Sequence, residues 1–264
     1  MDLGLNNRVA VVMAASRGLG KATAKALAAE GCKLALCSRD ASSIERTAME
    51  IGEACHVQVL ARSVDVTKPA EIADFAAAVE REYGSVDILV NNSGGPTPGS
   101  FDTLDEAAFA RATDLLLMNV VRTTKAFLPL IRRTGRGGRI INLTSTSVRE
   151  VLPNLMLSNS LRAAVSGWSK SLARELGPEN ILVNCVAPGT IQTERIDTLV
   201  AANAARQSKT PEEIRAAMVG RIPLGRFGKP EELAAAVAFL AGAGAGYISG
   251  ITLYVDGATM SSVI

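Results

Sequence analysis

Seven short runs rich in Val, Ile, Leu, Ala and Cys recur along the chain: RVAVVMA (8–14), KLALCS (33–38), VQVLARSVD (57–65), VDILVNN (86–92), GRIINLT (138–144), ILVNCVA (181–187) and ITLYVDG (251–257). Most are continuously apolar rather than alternating, as expected of strands covered on both faces of a parallel sheet. Longer segments with helical periodicity separate them, which is a βαβ rhythm. Without linker, repeat or low-complexity segment, the pattern predicts one α/β domain over 1–264, a doubly wound seven-stranded parallel sheet. LMLSNSLRAAVSGWSKSLAREL (155–176) reads as an amphipathic helix with Leu161, Ala164, Val165, Trp168, Leu172 and Leu176 as its apolar stripe. Ser158 and Arg162 stand four apart on it and therefore leave one face together.

The longest strand-free segment of the second half is 189–250, where Pro211 and Pro230 mark helix starts. Its position after the sixth strand puts a helical insertion, 190–230, at the carboxyl edge of the sheet where ligands bind. A lid over a pocket is the functional expectation. Leu233 to Val255 carries no charge and is long enough to cross a bilayer. Gly242, Gly244, Gly246 and Gly250 interrupt it, so a buried helix, a turn and a strand are expected instead of a membrane span. The N-terminal residues lack a signal-peptide pattern, and the expectation is a cytoplasmic protein.

The 264 residues carry a formal net charge of +2, which points to no nucleic-acid partner. The one basic cluster, RRTGRGGR (132–139), reads as a solvated helix-to-strand turn. Cys32, Cys37, Cys55 and Cys185 have neither metal-site spacing nor disulfide-scaffold density and are expected as reduced thiols. His56 is the only histidine. It excludes a multi-histidine metal site, leaves a Ser-His-Asp triad only this residue, and is expected at a strand edge; no metal is predicted.

Chemistry enters with AASRGLGKA (14–22), between the first strand and the first helix. Gly18 and Gly20 let the backbone turn and bring its N–H groups toward a pyrophosphate, as a Rossmann-type fold requires. The second strand ends in CSRD. Ser38 and Arg39, with Arg17 nearby, suit the 2′-phosphate of NADP(H), whereas an NAD site would place a carboxylate at that tip. Asp40 reads as the N-cap of the next helix.

From Arg8 to Gly257 the chain resembles the short-chain dehydrogenase/reductase family, most closely its 3-oxoacyl-[acyl-carrier-protein] reductase-like members. The motifs carrying the resemblance are AASRGLG, VDV (64–66), NNSG (91–94), NCVAPGTIQT (184–193), IPLGRFGKPEEL and ISGITLYVDG. The resemblance implies an NADP(H) site lined by Ala14, Ser16, Arg17, Gly18, Leu19, Gly20, Ser38 and Arg39. It further implies Asp65 and Val66 at adenine, Asn92, Ser93 and Gly94 beside ribose, Pro188, Gly189, Ile191 and Thr193 around nicotinamide, and a homotetramer or dimer.

The family's Asn, Ser, Tyr and Lys are only partly matched. Ser145 stands for the serine, while Ser158 occupies the tyrosine position and Arg162 the lysine position. Leu116 falls where the asparagine belongs, with Asn119 one turn further on; Met13 and Ala14 replace the first Thr and Gly of the loop. Tyr83, Tyr247 and Tyr254 lie at a helix end, in a turn and in the last strand, so none replaces the missing tyrosine. Two functions remain open. One is an NADP(H)-dependent reductase of a small carbonyl or alcohol compound in which Ser145, Ser158 and Arg162 are catalytic and Arg162 also touches the cofactor. The other is an NADP(H)-binding sensor or subunit without turnover. Arg149 and Arg195 join Arg162 at the expected pocket mouth and hint at an anionic or 1,3-dicarbonyl substrate.

Overall fold

The computed structural model describes residues 2–262. Among them seven strands form one parallel sheet of order β3-β2-β1-β4-β5-β6-β7. The strands are β1 (Val9–Val12), β2 (Lys33–Ser38), β3 (Val59–Ser63), β4 (Ile88–Asn91), β5 (Gly138–Leu143), β6 (Ile181–Pro188) and β7 (Thr252–Val255). Each lies within or one residue beyond its apolar run, so the chain leaves the sheet early where those runs end in Asn, Asp or Gly. The doubly wound α/β domain predicted from the pattern is the fold observed.

Helices cover both faces: α1 (Gly18–Ala29), α2 (Ala41–Cys55), α3 (Pro69–Tyr83), α4 (Glu106–Thr113), α5 (Asn119–Arg132), α6 (Met156–Leu176), α7 (Glu194–Gln207), α8 (Pro211–Val219) and α9 (Pro230–Ala241). One core layer joins Val12, Leu34, Ile88 and Val186 to α1 and α9. The other joins Val11, Ala35, Leu89 and Ile140 to α3, α5 and α6. Alternate strand residues thus feed opposite layers, which is why the strand runs are apolar throughout.

Several sequence expectations are refined. His56 is the left-handed C-cap of α2, with φ 53°, rather than a strand-edge residue. Ala164 is exposed on α6, whose buried line runs instead through Leu157, Ser158, Val165, Ser169, Ala173 and Leu176. The turn after α5 is solvated as expected, and its guanidiniums are paired: Arg132 with Glu179, Arg133 with Glu80 and Arg136 with Asp87. All four cysteines are free. Leu233–Val255 folds as helix, turn and strand, and no described helix is long and apolar enough to cross a membrane.

The insertion after β6 is a helical hairpin. Pro211 begins α8 behind a Thr210–Glu213 capping box, and Val200, Ala204 and Ile214 form a small core of their own with Ile196 and Met218. Its two ends are pinned by a bridge between Ile191 and Gly228, where Gln192 N–H donates to the Gly228 carbonyl at 2.8 Å.

Candidate active site

Sheet order reverses between β1 and β4, and ligand crevices in such sheets open at the carboxyl ends beside that switch. The loop after β1 occupies this position. Gly18 adopts φ +54°, and a Cβ on Gly20 would lie 2.3 Å from the Ala14 carbonyl oxygen. Only glycine allows that approach, which leads the chain into the first turn of α1 with its N–H groups free for an anion. Asn92 ties the β4 loop to this one by donating Nδ2–H to the Ala14 carbonyl at 3.2 Å. Ala14, which stands where the family has Gly, sits at φ +49°, in the left-handed region.

Ser16 accepts a 3.1 Å bond from Thr47 through its carbonyl, and Leu19 packs against the core, so both shape the loop from beneath. Arg17 is exposed and reaches away from the β2 tip to form a 2.8 Å ion pair with Glu194, the first residue of α7. Arg17 is therefore engaged with Glu194 and is not free beside Arg39 in this conformation. Ser38 is buried and donates to the Asp40 carbonyl at 3.0 Å; Asp40 caps α2 as expected, accepting from Ser43 N–H at 2.6 Å. Arg39 is exposed, and its charge reaches Asp65. Burial raises the Asp65 carboxyl, but bonds from the Thr67 N–H and hydroxyl, with Arg39 and Lys68, outweigh it and hold the group below its usual range. Val66 points its side chain into the core, so only its backbone can meet a base.

At the end of β5 the fold assembles a serine cluster. Ser145 begins a 3-10 turn (Thr146–Val148) and accepts a 3.2 Å bond from Ser147 N–H. The buried hydroxyl of Ser158 lies 3.2 Å from that of Ser147, not against Ser145. Ser147 is not singled out by the sequence motifs; it follows Ser145 by two and is brought to Ser158 by the 3-10 turn. One turn on along α6, Arg162 donates from Nη1 to the carbonyls of Leu143 and Thr144 at 3.0 and 3.1 Å. Burial, with a contribution from Arg195, pushes this guanidinium down to about 10, so it remains cationic at neutral pH. The catalytic candidates thus converge at the carboxyl ends of β5 and α6's first turns. Leu116 is buried within a π-turn (Asp114–Met118), and Asn119 is buried behind it, accepting from Thr123 at 3.1 Å with its Nδ2 unpartnered.

Residues that follow β6 and residues of the β4 loop stand beside this floor. Thr193 sits at the N-cap of α7, its Cγ2 at 3.7 Å from where a Cβ on Gly18 would be. Arg195 donates to the Pro96 carbonyl at 3.1 Å and lies flat on Gly95, where a Cβ would come within 2.9 Å of Nη2. Pro188 ends β6, and Gly189 presses so closely on Asp256 that a Cβ would fall 2.8 Å from its Cα. Ile191 is buried at its bridge to Gly228. Ser93 and Gly94 line the exposed start of the β4 loop, the Ser93 hydroxyl donating to the Gly94 carbonyl at 3.2 Å. Gly99 pairs with Leu155, joining the β4 loop to the segment before α6 as one wall. The tyrosines stay outside: Tyr83 donates to the Leu34 carbonyl, Tyr254 lies in β7 and Tyr247 is fully exposed. Among the described residues no His, Cys, Asp and Glu cluster could hold a metal.

Comparison with known proteins agrees with this architecture. Residues 13–258 match the family model described as enoyl-(acyl carrier protein) reductase. Galactitol 2-dehydrogenase of Agrobacterium fabrum is 33% identical over 258 residues, covering 98% of this chain and 99% of that protein. The 3-oxoacyl-[acyl-carrier-protein] reductase of Vibrio cholerae is 35% identical over 257 residues, covering 97% and 98%. The crystal structure of L-sorbose reductase from Gluconobacter frateurii, complexed with NADPH and L-sorbose, superposes with a TM-score of 0.95 at 31% identity and covers 100% of both chains. The chain belongs to the short-chain dehydrogenase/reductase family.

Proposed function

We propose that the protein is an NADP(H)-dependent oxidoreductase that reduces the carbonyl of a small molecule, of the 3-oxoacyl or a similar class, with a remodelled proton-transfer site. The observation that carries this reading is Arg162, a cation drawn out of water at the end of β5 and steered there by two main-chain carbonyls. A bound NADPH supplies hydride to the carbonyl carbon. The Gly18–Gly20 loop and the first turn of α1 hold its pyrophosphate, and Arg39 its 2′-phosphate. The Gly20 approach and the carboxylate-free tip of β2 fit that group.

Arg162 takes the lysine's place against the cofactor ribose and polarises the substrate oxygen as charge builds on it. It keeps its own proton. A serine hydroxyl stops short of a tyrosine's reach by about one hydrogen-bond length, so Ser145 and Ser158, the latter oriented by Ser147, hold a water that delivers the proton. The insertion at 190–230 acts as a lid, since it carries its own core and meets the nucleotide-binding loops through Arg17–Glu194 and Arg195–Pro96. Self-association as a homotetramer belongs to the same reading.

The test is NADPH oxidation over a panel of carbonyl compounds, with NADPH and NADH affinities titrated by fluorescence. NADPH is expected to bind roughly 10–100-fold more tightly, the worth of one or two charge-assisted bonds. Ser158→Tyr with Arg162→Lys is expected to raise turnover of generic ketones by about 10²-fold or more, the usual return of a positioned acid. Tight NADPH binding with no turnover in either form leaves a cofactor-binding sensor or subunit.

A further inference from the structure

Resting on that reading, we propose that the substrate carries a carboxylate beside its reducible carbonyl, a short 2-oxo or 3-oxo acid, and that Arg195 is the residue that binds the carboxylate. Arg162 comes from α6 and Arg195 from α7, and the two guanidiniums are near enough for one to feel the other's charge. Both donate to main-chain carbonyls: Arg162 to Leu143 and Thr144, Arg195 to Pro96. Among the described residues neither has a carboxylate within ion-pair distance, whereas Arg8 and Arg122, also drawn partly from water, each have one. Burial lowers both guanidiniums, and the charge of Arg195 is felt at Arg162. Two neighbouring cations without a counter-ion in a half-buried site are a standing cost that a bound anion removes.

The cofactor's anionic groups are accounted for elsewhere. The glycine loop takes the pyrophosphate, and Arg39 the 2′-phosphate at the far tip of β2. The positive charge left over lies at the reacting end, so the anion that answers it comes with the substrate. Arg162 is committed to the carbonyl oxygen, which leaves the carboxylate to Arg195. Its guanidinium is positioned for this because it lies flat on Gly95, a residue whose lack of a side chain makes the contact possible. A planar fork meets a carboxylate with two parallel bonds, the geometry an ester or a neutral ketone cannot supply. The same contact joins α7 to the β4 loop, so a carboxylate bound there also holds the lid down.

The test compares acetoacetate and 2-oxobutanoate with their methyl esters in NADPH oxidation by the full-length protein. The acids are expected to exceed the esters in kcat/KM by about 10–100-fold, mostly through KM. Arg195→Met should bring that acid-to-ester ratio toward one, and Arg195→Lys should keep part of it. A ratio near one in the wild type, or one that Arg195→Met leaves unchanged while both rates fall, overturns the assignment. A second readout is independent of turnover: malonate titrated against the protein–NADPH complex should saturate in a fluorescence or calorimetric experiment and lose affinity with Arg195→Met. No saturable malonate binding also overturns the proposal. Malonate binding that Arg195→Met weakens, with no substrate reduced, keeps the carboxylate site and removes the reductase reading.

Discussion

At Ala14 the backbone is held at φ +49°, where an L-residue pays about 1–2 kcal/mol that glycine does not. Glycine's extra freedom in the unfolded chain returns about 0.4–1 kcal/mol of that. Ala14→Gly should therefore stabilise the protein by roughly 0.5–1 kcal/mol, visible as a higher urea midpoint at unchanged m-value. Arg162 carries the second prediction at this scale. Its charged form is the working form and its proton leaves near pH 10, because burial and then Arg195 lower it. Turnover should be flat in the protein's own groups from about pH 7 upward and fall as pH rises through about 10. A rate that climbs through neutral pH would reveal a different acid. These residues show what a sequence can and cannot disclose. Gly18, Gly20 and Asp40 were legible because their spacing against strands and helices fixes their place, and Arg162 because the family resemblance puts it at the lysine position. Ser147 and the Arg17–Glu194 pair were not, since a rotamer and a contact across 177 positions decide them.

Elements were legible wherever burial alone specifies them, and the strand runs located all seven strands within a few residues. Their continuous apolarity hid a second feature. Asn91 in β4 and Asn142 in β5 stand in register, and Asn91 Nδ2–H donates to Asn142 Oδ1 at 2.8 Å. Asn91 also donates to Thr124 of α5, and Asn142 to Ser169 of α6 at 2.8 Å. This buried polar ladder ties two central strands to the helices that carry Asn119 and Arg162. Asn142→Ala would leave buried donors and acceptors unpaired and should cost about 1–3 kcal/mol. Denaturant unfolding measures it; a change within error would mean water replaces the lost amide. The insertion after β6 was legible as helical through Pro211 at the start of α8, but its internal core and the Ile191–Gly228 bridge depend on pairing between distant segments.

At the scale of the whole molecule, two surfaces leave apolar side chains exposed or partly covered. Strand β7 is the sheet's outer edge, half-exposed along its length, with Tyr247 fully exposed and Ile251 and Leu224 exposed nearby. An edge strand with apolar neighbours must be covered or it recruits another chain. The second surface is α6, where the expected stripe proved to be split: Val165 and Leu176 face the core while Ala164 is exposed and Trp168 only partly covered. Were each surface to close on itself about a two-fold axis, the two independent two-folds would generate a closed tetramer rather than a dimer. Light scattering at micromolar concentration should therefore give about four times the 27.6 kDa chain mass. Trp168→Glu should stop assembly at the dimer through β7, and Ile251→Asp at the dimer through α6. A monomeric wild-type mass contradicts the assembly outright. A tetramer that survives both substitutions assigns its interfaces to other surfaces, because a charge introduced at the centre of an apolar two-fold contact meets its own copy across the axis.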